Sequence, residues 1–148
     1  MIPSSRKAFC RLMAVLLPLV TLSACATEAP ADTAAADSVK AVVRDLSATE
    51  VHQMIQENPE VLIIDVRTPV EYNAPGGHMP GAQLKPLQEI QTWAPTLASY
   101  RDQQIILVCR SGNRSGQAMR YLQQQGFQNL VNMQGGMLDW TRKGFAVE

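Results

Sequence analysis

The sequence predicts an α/β domain with a mostly parallel central sheet and helices on both of its faces. Three observations carry that expectation. Two apolar runs, Val61-Leu62-Ile63-Ile64 and Ile105-Ile106-Leu107-Val108, show no polar alternation, as strands buried on both faces do. Stretches with helical spacing alternate with them, which implies βαβ units whose right-handed crossovers place helices on both faces. A polar, glycine-bearing loop follows the second run and opens a helix, at the carboxyl end of a strand where open α/β sheets bind ligands.

The first 24 residues read as a signal peptide rather than as part of the fold. Arg6, Lys7 and Arg11 form a basic region, and the apolar run from Leu12 to Val20 is interrupted by Pro18. That run is shorter than the roughly 20 residues a membrane-spanning helix needs. Leu22-Ser23-Ala24-Cys25 resembles the lipobox of bacterial lipoproteins. The resemblance implies cleavage before Cys25, acylation of Cys25, and a lipid anchor to the bacterial cell envelope facing the periplasm or extracytoplasmic space. A plain secretory signal is the alternative. Removing residues 1–24 takes away three of the 13 basic residues and none of the 13 acidic ones, leaving a net charge of −3. No basic stripe survives, so a nucleic-acid partner is not expected. Of the three cysteines, Cys10 would leave with the signal and Cys25 would be taken by lipid, so Cys109 is expected to be the remaining free thiol.

Residues 25–45, rich in Ala, Thr, Asp and Pro, lack apolar periodicity and are expected to be a flexible tether. The domain is expected over residues 46–148. Ser47 and Glu50 form a capping box, with Leu46 and Val51 at the staple positions, and Asn58-Pro59 ends that first helix. The strand at residues 61–64 follows. Residues 68–81, with three Pro and three Gly, are expected to be loop. Residues 86–100 are expected to be a weaker helical stretch broken by Pro95. The second strand delivers Cys109 at its carboxyl end. A helix is expected from about Arg114 to Gln125 with Gly126 at C′, then a third strand at residues 129–133, then a short helix holding Leu138 and Trp140.

The loop Cys109-Arg110-Ser111-Gly112-Asn113-Arg114 carries the chemistry. Gly112 permits backbone angles that aim several amides at one point, an anion nest. The following helix adds the positive end of its dipole, and Arg110 and Arg114 add two cations. All of these favour a thiolate, the nucleophilic form of cysteine.

Residues 109–114 resemble the active-site pattern Cys-Arg-x-Gly-x-Arg or Thr of the rhodanese family. Asp65-Val66-Arg67 with Glu71-Tyr72, Gly77-His78-Met79-Pro80-Gly81-Ala82, and Gly135-Gly136-Met137-Leu138-Asp139-Trp140 resemble further family landmarks in the same order, over about residues 46–145. The resemblance implies a rhodanese-like fold and a sulfur-transfer cycle with no metal or organic cofactor. Cys109 would take sulfane sulfur from a small sulfur-containing anion such as thiosulfate and pass it to a thiol or cyanide. The amides of residues 110–114 would cradle the sulfur, and Arg110, Ser111, Gly112, Asn113 and Arg114 would bind the donor. A monomer is expected. Two departures stand out: about two extra residues between Tyr72 and Gly77, and Met137 where the family often has an aromatic residue. Neither is expected to touch the nucleophile.

Asp65 and Arg67 are expected to order loops, Glu71 to pair with an arginine, His78 to be structural, and Trp93 and Trp140 to pack in the core or its rim. His52 is expected to be exposed. A phosphatase or arsenate reductase is the rival enzyme, but such loops place five residues between Cys and Arg. Here Arg114 follows after four, and Ser115 occupies the other position. A non-enzymatic sulfur carrier or partner-binding lipoprotein is the second rival.

Overall fold

The computed structural model describes residues 42–148. The signal segment, Cys25 and the tether up to residue 41 lie outside the described residues. The sheet takes in the chain four residues before the expected start at Leu46, because Val42–Ser47 is a strand, β1. It pairs with Asn129–Gln134, β5, from Val42 opposite Asn129 to Ser47 opposite Gln134. Four further elements frame the centre: the helix Ala48–Glu57, α1; the strands Leu62–Asp65, β2, and Ile105–Val108, β4; and the helix Asn113–Gln124, α4. With the two-residue strand Gln83–Leu84, β3, five strands run in the order β1-β5-β4-β2-β3, every pair parallel.

Strand periodicity explains why β2 and β4 carry no alternation. Successive side chains point to opposite faces, and both faces are covered. Ile64, Ile105 and Leu107 pack toward α4, with Ala118, Leu122, Phe127 and Leu130. Ile63, Ile106 and Val108 pack on the other face with Ala48 and Val51 of α1. The helix Gly136–Arg142, α5, supplies Met137 and Trp140 to that same face.

The Ser47 and Glu50 box starts α1 as expected, with the Ser47 amide donating to Glu50 Oε2 at 2.8 Å. Two expectations need correction, the loop at 68–81 and the exposure of His52. The segment at 68–81 is not all loop: Pro69–Tyr72 is a helical turn, α2, closed by a second capping box between Thr68 and Glu71 with Pro69 in its first turn. Residues 86–100 are helical and broken at Pro95 as expected, with the 3-10 turns Leu87–Glu89 and Ala94–Tyr100 around the helix Ile90–Trp93, α3, since Pro95 lacks the amide a continuous helix would use. His52 is half-buried, its ring stacked on Phe145 at 4.1 Å. Trp93 and Trp140 are buried, and each indole donates to a backbone carbonyl, Pro86 and Ala146 respectively.

Candidate active site

β4 ends directly at Cys109, and the chain reverses into α4 through Gly112, whose φ of 97° suits glycine and few other residues. That turn brings the Gly112 amide to Cys109 Sγ, to which it donates at 3.1 Å. Within the first turn of α4, the Ser115 hydroxyl donates to the same sulfur at 3.3 Å. The sulfur therefore sits at the amino-terminal end of a 12-residue helix, where free amides and the helix dipole favour an anion. Burial pushes the Cys109 thiol up. The Ser115 hydroxyl and the amides of Ser115, Ser111 and Gly112 outweigh burial and hold it below the ordinary cysteine value. Cys109 is only 1% exposed, so a reagent must bring its reacting atom to the loop.

α5 fixes the opposite side of the loop. The Met137 amide donates to the Cys109 carbonyl at 2.9 Å, and the Leu138 amide to the Arg110 carbonyl at 3.0 Å. Two loop carbonyls are thereby committed to α5. Met137 does touch the candidate nucleophile, through its backbone, contrary to the sequence expectation. Gly136 permits this approach. It has φ 56°, and a Cβ there would lie 2.3 Å from the Cys109 carbonyl oxygen and 2.6 Å from the Arg110 carbonyl.

The end of β2 forms the facing wall. Asp65 is buried, accepts from Arg67 Nε at 2.8 Å and is ion-paired with Arg67 Nη2 at 2.7 Å. Arg67 also donates to the carbonyls of Glu71 and Gly77, tying α2 and the following loop to the strand. Glu71 receives both outer nitrogens of Arg114, at 2.7 and 2.5 Å. Arg114, helped by the Thr68 amide and hydroxyl, holds the Glu71 carboxyl down to about 2 against burial. Glu71 in turn raises the guanidinium of Arg114, with a smaller contribution from the nearby Cys109. Glu71 is thus the arginine partner expected from the sequence.

The structure brings the six loop residues together but divides their surroundings. Arg110 is exposed, with no ion pair among the described residues. It lines a depression of about 200 Å³ with Arg67, Glu71, Ala74, Gly76, Met137 and Leu138. Ala74 and Gly76 belong to the lengthened loop after Tyr72. Ser111 and Asn113 are exposed on the other side, in a polar depression of about 310 Å³ that also includes Gly112, Asp45, Arg120 and Asn132. Arg114 is engaged by Glu71. The expected cradle of amides from 110 to 114 narrows to Ser111 and Gly112, joined by Ser115. Ser115 is the residue sequence reasoning missed. Its signal is a hydroxyl one helical turn after Gly112, near the amino-terminal end of α4. His78 stacks on Tyr72 at 3.6 Å and shares a pair of backbone hydrogen bonds with Glu148. Among the described residues no three His, Cys, Asp or Glu side chains gather in a way that could hold a metal ion.

Comparisons with known proteins agree with this architecture. A family model described as "Rhodanese-like domain" matches residues 47–143. A protein named Sulfurtransferase from Allochromatium vinosum is 33% identical over 106 residues, covering 72% of this chain and 95% of its own length. The Putative sulfur carrier protein YrkF from Bacillus subtilis is 34% identical over 101 residues, covering 68% of this chain and 52% of its own length, so the chain spans about half of that relative. Among solved structures, a rhodanese-like domain protein from Staphylococcus aureus superposes with a TM-score of 0.59 at 30% identity, covering 72% of this chain and 99% of that one. With an all-parallel five-stranded sheet and a family match across most of its described length, the chain belongs to the family of rhodanese-like domains.

Proposed function

We propose that this chain is a sulfurtransferase working through a persulfide on Cys109. The observation that carries the reading is the sulfur itself, held by the Gly112 amide and the Ser115 hydroxyl at the start of α4. Those donors favour the thiolate before transfer, and the same donors favour a persulfide anion after it. The Cys109 thiolate attacks the outer sulfur of a donor such as thiosulfate. A bond forms between Sγ and that sulfur, the donor's S–S bond breaks, and its electron pair leaves with sulfite. Cyanide or a thiolate then attacks the outer sulfur of the persulfide, and the Cys109 thiolate is restored. Arg110 meets the donor anion at the mouth, the amides of Ser111 and Gly112 and the Ser115 hydroxyl steady the charge on sulfur, and Arg114 acts through Glu71 by holding the loop. Asn113 lines the opposite side of the loop.

The test is turnover. The purified protein, given thiosulfate and cyanide, is expected to form thiocyanate, and Cys109→Ser is expected to abolish it. Hydrolysis of an aryl phosphate with no thiocyanate would overturn the reading. We further propose a lipid anchor at Cys25 to the bacterial cell envelope, facing the periplasm or extracytoplasmic space, supported by the signal-like segment at residues 1–24 and by the resemblance of Leu22-Ser23-Ala24-Cys25 to a lipobox. Accumulation of an uncleaved precursor under globomycin, with membrane fractionation of the processed chain, tests that placement.

A further inference from the structure

The polar depression on the Asn113 side of the loop holds two charges without ion partners. Asp45 brings a carboxylate from β1 and Arg120 a guanidinium from α4, and neither meets an opposite charge among the described residues. Asn132 of β5 shares the depression and is only 6% exposed. Its Nδ2 donates to Asp45 Oδ1 at 2.6 Å. A carboxylate only accepts, so this bond fixes which end of the carboxamide faces Asp45. Asn132 Oδ1 is left buried with no hydrogen-bond partner, the one such side-chain atom among the described residues. A buried acceptor in that state costs stability, and a donor arriving from outside the chain would relieve it.

Gly116 keeps the space beside the carboxamide open. A Cβ there would lie 3.3 Å from Asn132 Nδ2, 3.9 Å from its Cγ and 3.7 Å from Arg120 Nη1, so the amide and the guanidinium border one small volume. The depression holds about 310 Å³, room for a small metabolite, and Ser111 and Asn113 add polar groups to it. A simple anion would meet Arg120 but also face the Asp45 carboxylate, and it would leave Oδ1 without a donor. A simple cation would meet Asp45 but face Arg120. We propose that the depression binds a small zwitterion with a primary ammonium and a carboxylate, an α-amino acid with a polar side chain. The ammonium takes Asp45 in place of the Asn132 amide. The terminal torsion of asparagine is soft, so the carboxamide turns and Oδ1 accepts a second ammonium hydrogen. The ligand carboxylate pairs with Arg120, and Ser111 and Asn113 meet the polar side chain. No covalent bond forms or breaks, and Cys109 does not line the depression, so binding stands independently of sulfur transfer.

The experiment follows the Asn132 side-chain amide by NMR while the folded protein is titrated with L-serine, L-glutamine, ethanolamine and 3-hydroxypropionate. The last two keep only one charged end each. At least one of the two amino acids is expected to shift the Asn132 resonances saturably, at about millimolar concentration, and to bind about tenfold tighter than either single-charge compound. Asp45→Asn and Arg120→Gln, both at exposed positions, are each expected to weaken that binding about tenfold. Gly116→Ala is expected to abolish it, because Gly116 sits within α4 without a left-handed backbone and the added methyl fills the space. Gln117→Ala, exposed on the same helix outside the depression, is expected to leave binding unchanged. Absence of a saturable shift from both amino acids, or a single-charge compound that binds as tightly as they do, would overturn the proposal.

Discussion

Glu71 and Arg114 meet end to end across 43 residues of sequence, each outer nitrogen of the guanidinium on its own carboxylate oxygen. The pair joins α2 to the first turn of α4 and so braces the loop that holds Cys109. It also removes Arg114 from the list of cations available to a donor, which leaves Arg110 at the mouth.

Breaking that brace gives a pH-dependent prediction. The Glu71 carboxyl sits at about 2 rather than 4.5, so the stability it adds is complete above the unfolded value and lost as pH falls toward the folded one. Glu71→Gln is expected to lower stability by roughly 1 kcal/mol at neutral pH, the scale of a partly exposed bidentate pair. The gap in thermal midpoint from the wild type is expected to close between about pH 4.5 and pH 2. A gap that stays constant over that range would contradict the role given to this carboxylate.

Ser115→Ala removes a donor to the sulfur while leaving the Gly112 amide in place. The thiol is expected to titrate higher, so the acid limb of the kcat/KM profile moves to higher pH. Near neutrality the rate is expected to fall roughly tenfold, the size of one hydrogen bond to a charged atom. The loss shrinks as pH rises past the thiol's titration. A uniform loss at every pH would point to misplacement of the loop instead.

Gly136→Ala tests the seam between α5 and the loop. At φ 56° with its Cβ against the Cys109 and Arg110 carbonyls, alanine is expected to cost about 2 kcal/mol or more and to lower activity with it. Chemical denaturation of the variant reads the first effect and thiocyanate formation the second.

Arg110→Gln separates binding from stability. The side chain is exposed and unpaired among the described residues, so the thermal midpoint is expected to stay within about a degree, as surface substitutions do. KM for an anionic donor is expected to rise about tenfold, more steeply at low salt.

Much of this was legible in the residues. β2 and β4 announced themselves as unbroken apolar runs, and Ser47 with Glu50 marked the start of α1 by a pattern whose partners lie three residues apart. The equivalent signal at Thr68 and Glu71 was present but sat inside a Pro- and Gly-rich stretch that read as loop. β1 was hidden for a physical reason: as an edge strand it pairs on one side only, and Arg44 and Asp45 break its apolar character. The loop was readable as an anion nest, yet which of its groups meet the sulfur was not. That depends on the left-handed turn at Gly112, which swings Ser115 toward Sγ, and on Glu71, which arrives from a distant segment to claim Arg114.

The most direct measurement is the mass of the Cys109 peptide after brief exposure of the protein to thiosulfate, before and after addition of cyanide. The account predicts a gain of one sulfur atom on Cys109, lost again when thiocyanate appears. A Cys109 peptide that gains nothing from thiosulfate, in protein shown to be folded and with its thiol free to alkylate, would contradict it.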